Sequence, residues 1–101
     1  MLRLLIVDDE EIIRESLSSS IDYGEMGFKF IGAAKNGMEA LGIIQDEYPD
    51  VIITDLKMPV MGGLELIERT LKFDKNVEFV ILSGYGEFEF AREAMKYGVR
   101  Y

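Results

Sequence analysis

Short apolar runs that stop at a polar residue recur along the chain, and between them apolar residues fall three or four positions apart. Leu2 to Val7 stops at Asp8-Asp9-Glu10-Glu11, Val51-Ile52-Ile53-Thr54 stops at Asp55, and Phe79-Val80-Ile81-Leu82 stops at Ser83. Runs of this length, rich in β-branched residues, predict strands; Pro49-Asp50 before the second run and Pro59 after it mark that strand as buried on both faces. The segment Phe28 to Ala34 alternates weakly and is the most polar of the set, which predicts an edge strand. Strand four follows Asn76.

Helical spacing fills the gaps. Ile13, Leu17 and Ile21 mark a first helix, with Ser18-Ser19-Ser20 as solvated surface near its end and Gly24 to Gly27 as the turn after it. Asn36 with Glu39 three residues on is a capping box opening a second helix, whose stripe is Leu41, Ile44 and Tyr48. After a turn holding Pro59, Gly62 and Gly63, a third helix carries Leu64, Ile67 and Leu71. A fourth runs from about Glu87 to Tyr97, with Phe90, Ala91, Ala94 and Met95 inward and Gly98 as its stop. Val99-Arg100-Tyr101 opens a fifth strand that the chain leaves unfinished.

Strand and helix alternate with a repeat of about twenty-five residues and no linker, which predicts a doubly wound α/β domain with a parallel sheet and helices on both faces. In such sheets ligands bind outside the carboxyl ends of the strands, where the strand order reverses. Asp8, Asp9, Asp55 and Ser83 all stand at such ends, so the fold would gather three acids and a hydroxyl in one crevice.

Composition narrows the chemistry. The 101 residues are enough for one domain, and with 49% apolar and 30% charged residues the chain should fold around a core. Cysteine and histidine are both absent, which excludes disulfides, thiol catalysis, zinc-thiolate sites and a histidine base or relay within this chain. Any metal must be a hard cation held by oxygen. A net charge of −8 argues against direct nucleic-acid binding and suits a surface that docks basic partners. No apolar run could span a bilayer, and Met1-Leu2-Arg3 does not begin a signal peptide, so the cytoplasm is the expected location.

Gly84-Tyr85-Gly86 is not a dinucleotide fingerprint, because Glu89 stands where the third glycine belongs, and neither a Walker motif nor a Gly-x-Ser-x-Gly elbow occurs. The acids after the first strand could simply cap a helix. Four in a row exceed what capping needs, since each repels the others, and beside Asp55 they are better read as a metal site.

Taken together, Leu5-Ile6-Val7-Asp8-Asp9-Glu10, Asp55-Leu56-Lys57-Met58-Pro59 with Gly62-Gly63, Leu82-Ser83-Gly84-Tyr85 and Ala94-Met95-Lys96-Tyr97-Gly98 resemble the receiver domain of two-component response regulators. The Ser-Gly-Tyr sequence and the Ile21-to-Phe28 segment are similar to receivers attached to AraC-type DNA-binding domains. The resemblance implies a flavodoxin-like fold of strand order 2-1-3-4-5. Asp55 would be the phosphoacceptor, Asp9 a direct Mg²⁺ ligand, Asp8 a ligand partly through water, the backbone carbonyl of Lys57 a further ligand, and Ser83 the hydroxyl that turns to the phosphoryl group. The implied partners are a sensor histidine kinase and a DNA-binding output domain; the implied role is a switch and not an enzyme.

The family's fifth-strand aromatic and lysine would fall after Tyr101, so residues 1–101 are expected to form a C-terminally incomplete receiver, and Tyr101 does not take the aromatic's role. An unpaired fourth strand would then favour dimerisation or exchange of elements between copies. Two rivals remain. A haloacid-dehalogenase-type phosphatase wants an aspartate two residues after its nucleophile, where Lys57 stands here. A receiver-like interaction module that is never phosphorylated would act by protein contact alone.

Overall fold

The computed structural model describes residues 1–82, 92 and 95–98. In chain order these form β1 (Leu2–Val7), α1 (Glu11–Ser19), β2 (Phe28–Ala34), α2 (Gly37–Glu47), β3 (Val51–Asp55), α3 (Gly63–Phe73) and β4 (Glu78–Leu82). The four strands make one parallel sheet in the order β2-β1-β3-β4. This is the expected order as far as β4; of the anticipated helix four, residues 87–91, 93 and 94, with Phe90, Ala91 and Ala94 among them, lie outside the described residues, as does the anticipated fifth strand. Among those described, no helix is long and apolar enough to cross a membrane.

Alternation along each strand sends side chains to two cores. Leu5, Val7, Ile52, Phe79 and Ile81 point to one face, where Ala40 and Ile44 of α2 and Leu66 and Ile67 of α3 cover them. Leu4, Ile6, Phe28, Phe30 and Val51 point to the other, with Tyr23 and Leu17. The expectation for β3 is corrected here: Ile52 and Thr54 are buried, whereas Val51 and Ile53 are only half-buried. The α1 face is thinly covered, because no residue of α1 is buried and Ile12 and Ile13 are exposed.

A register shift between Leu4 and Leu5 sets two residues of β1 against three of β2. Ile31 is the extra residue, and after it the alternation of β2 is reversed, so Phe30 and Ala33 share one face while Ala34 joins the other. Gly32, with φ 156, follows directly, as glycine often does at bulges.

Helix boundaries follow from local chemistry. Asn36 caps α2 through Oδ1, which accepts from the Glu39 N–H at 2.9 Å. Glu39 Oε1 reaches back to the Lys35 N–H at 3.3 Å, one residue beyond the reciprocal contact of a standard capping box. Tyr48 does not extend the α2 stripe. It is the C-cap in left-handed backbone (φ 50), which turns its ring out to solvent, stacked on Phe73 at 5.7 Å. Ile21 likewise falls beyond α1, which ends at Ser19, and Met95 is exposed instead of inward. Gly98 fits its role as a stop, with φ 78.

Candidate functional site

Register explains why the acids meet. In the parallel β1–β3 pair Val7 stands opposite Thr54, so the next residue on each chain, Asp8 and Asp55, emerges side by side at the strand ends. Parallel neighbours lie about 4.8 Å apart, and Asp9 follows at once. One carboxylate oxygen from each of Asp8, Asp9 and Asp55 falls within 4.8 Å of the others.

Each acid sits in a different environment. Asp8 is buried, at 2% exposure. Its N–H donates to Ala34 O at 3.0 Å, its Oδ1 accepts from the Glu10 N–H at 2.9 Å, and its carbonyl accepts from Arg14 Nη1 at 2.9 Å. Burial pushes the Asp8 carboxyl above the usual carboxylate range; the Glu10 N–H opposes that, and the charges of Asp9 and Glu10 add to it, with Arg14 pulling the other way. Asp9 is exposed and Asp55 half-buried. The Asp55 carboxylate is oriented by the Leu56 N–H, which donates to its Oδ1 at 2.7 Å. The hydroxyl of buried Thr54 holds the Asp55 carbonyl at 2.8 Å.

The site is therefore an all-oxygen cluster with one desolvated member. Like charges held this close destabilise one another unless a cation joins them, and three carboxylates with an exposed side suit a hard divalent ion that keeps some of its water. Lys57 follows in the loop after β3, with its side chain exposed. Ser83 follows Leu82, which pairs with Asp55, but is itself outside the described residues.

Sequence reading missed Arg14 and Gly37 at this end, and read Gly63 only as part of the turn before α3. Arg14 lies one helical turn into α1, and only its being the first cation after four acids hints at a return to the strand end. Gly37 and Gly63 pack against the loop between β3 and α3. Their closeness to backbone comes from the fold, and nothing local in the sequence signals it.

The family model for the response regulator receiver domain matches residues 4–101. The chain belongs to the response regulator receiver family. It is 46% identical over 101 residues to the transcriptional regulatory protein YesN of Bacillus subtilis, covering all of this chain and 27% of that one. The REC domain of AraT, a response regulator from Geobacillus stearothermophilus, superposes with a TM-score of 0.92 at 38% identity, over 97% of this chain and 76% of that one. A two component transcriptional regulator AraC from Clostridium phytofermentans gives 0.90 at 36% identity, over 100% and 79%. The receiver thus spans about a quarter of the length of YesN, and its likeness to AraC-type regulators is matched among solved structures. Receivers of this family are signalling modules.

Proposed function

We propose that this receiver is a phosphorylation-dependent switch in which Asp55 accepts a phosphoryl group from the phosphohistidine of a sensor kinase. The observation that carries this reading is the convergence of Asp8, Asp9 and Asp55 within 4.8 Å at two adjacent strand ends. Asp8, Asp9 and the Lys57 carbonyl, together with Asp55, would hold Mg²⁺. When bound, the cation offsets the repulsion between carboxylate and phosphoryl oxygens.

The residues of the chain do the rest. The Leu56 N–H orients the Asp55 carboxylate through Oδ1, and a carboxylate oxygen of Asp55 would attack phosphorus in line. As the new O–P bond forms, the P–N bond to the kinase histidine breaks and its electron pair stays on the imidazole, which takes up a proton. Ser83 would donate to the transferred group, and the following loop would carry the change to a partner. We infer an attached output domain that binds DNA, since the relatives are transcriptional regulators.

Incubation with acetyl phosphate and Mg²⁺, followed by mass spectrometry, tests the reading. The wild-type chain should gain one phosphoryl mass and Asp55→Asn none. Asp9→Ala should lose Mg²⁺-dependent thermal stabilisation more fully than Asp8→Ala. A phosphoryl gain that survives in Asp55→Asn would remove Asp55 as the acceptor.

A further inference from the structure

The loop joining β3 to α3 holds a backbone that its residues disfavour. Val60 has φ 69, and the Met61 N–H donates back to Pro59 O at 2.8 Å. That is a three-residue turn with a left-handed centre, a strained arrangement and especially so for a β-branched residue. Val60 is 77% exposed, so packing of its own side chain does not hold it there.

Two backbone contacts secure the loop. The Gly63 N–H donates to Leu56 O at 2.9 Å, closing the loop on itself, and the Gly37 N–H donates to Met61 O at 2.9 Å from α2. Gly37 is the first residue of α2 and is buried. A β-carbon there would lie 2.6 Å from Met61 O and 2.8 Å from Met61 Cγ. Its φ is outside the left-handed region, so the requirement for glycine comes from close approach and not from conformation.

We propose that Gly37 is a positioning residue for the acidic site, an inference that rests on the reading of Asp8, Asp9 and Asp55 as a cation and phosphoryl site. Through the Met61 carbonyl it anchors the strained turn. The same loop begins with Leu56, whose N–H orients the Asp55 carboxylate, and continues to Lys57, whose carbonyl is the further candidate ligand. A side chain at position 37 pushes Met61 away from α2 and moves these groups together. Groups that orient ligands from behind affect affinity by about tenfold or more.

The test compares wild type, Gly37→Ala and Gly42→Ala by calorimetric titration with Mg²⁺, acetyl-phosphate labelling and thermal unfolding without the cation. Gly42 is in the same helix, and a β-carbon there meets nothing within 4 Å. Because alanine is the better helix former, Gly42→Ala should melt higher with unchanged Mg²⁺ affinity. Gly37→Ala should bind Mg²⁺ about tenfold more weakly and label more slowly. Wild-type affinity and labelling in Gly37→Ala, whatever its melting point, would overturn the proposal. Should Gly37→Ala not fold, Asn36→Ala loosens the same helix start without adding an atom. It should weaken Mg²⁺ binding roughly threefold, and unchanged affinity there would equally overturn the proposal. A wild-type chain that takes neither Mg²⁺ nor a phosphoryl group overturns the site reading itself, and this inference with it.

Discussion

Gly63 lies so close to Asp55 that a β-carbon on the glycine would stand 2.3 Å from the Asp55 carbonyl oxygen and 3.0 Å from Leu56 Cα. The first residue of α3 is thus seated on the backbone of the candidate phosphoacceptor. Gly63→Ala cannot relieve this by rotating a side chain, since the obstacle is main chain. It should cost about 2 kcal/mol of stability by forced displacement of the helix start. Urea unfolding checks this: an unchanged midpoint would show that α3 can shift freely.

Asp8 is expected to be a destabilising group in the cation-free protein. Burial raises its folded pKa above the ordinary carboxylate value of 3.8, so the folded state binds the proton more tightly than the unfolded chain does. Stability should therefore fall as the pH rises from about 4 through the raised folded value, and stay lower above it. Asp8→Asn keeps an oxygen for the Glu10 N–H and removes the charge. It should melt higher than wild type at neutral pH without Mg²⁺ and lack that part of the pH slope; a lower melting point would contradict the account.

Tyr23 should govern an alkaline limb. Its hydroxyl donates to Leu17 O, its ring stacks on Phe30 at 5.9 Å, and burial raises its pKa above 10.0. The neutral form is favoured in the fold, so stability is intact below about pH 10 and declines as the pH climbs toward the folded value. Tyr23→Phe should lose about 1 kcal/mol near neutrality with the hydrogen bond and show a shallower decline above pH 10. Equal alkaline slopes in the two proteins would remove Tyr23 as the source.

Thr70 is fully buried on α3, and its hydroxyl finds no partner among the described residues. A valine of nearly the same shape removes the desolvation cost without opening a cavity. Thr70→Val should stabilise the chain by about 1 kcal/mol, read as a higher urea midpoint with an unchanged slope. Destabilisation would mean that the hydroxyl is satisfied in solution.

The strand ends were legible because two signals coincide there: an apolar run that fits a buried strand, and an acid that ends it. Parallel pairing then leaves little freedom in where Asp8 and Asp55 emerge. Asn36 and Glu39 were legible for a similar reason, since capping is a contact between near neighbours. Tyr48 was misread because helical spacing cannot reveal that its backbone turns left-handed one residue too soon. The roles of Arg14, Gly37 and Gly63 depend on contacts between segments, and the half-bare face of α1 depends on what lies across from it. Such facts belong to the assembled fold.

At the end of the sheet away from the acids, the Arg3 N–H donates to Asp50 Oδ2 and the Asp50 N–H to Arg3 O, both at 2.8 Å, while the Glu78 N–H donates to Asp50 O at 3.0 Å. Arg3 also reaches the Glu47 carbonyl and carboxylate at 2.9 Å. β1, α2, β4 and the residue before β3 are stitched together there by neutral and oppositely charged pairs, and the opposite rim gathers three carboxylates in one cluster. A change of charge at that rim therefore meets a sheet already clamped at its far edge. Those bonds pin the register of the strands at one edge, so a charge added or removed among the three carboxylates would act first on the loops that follow β1 and β3.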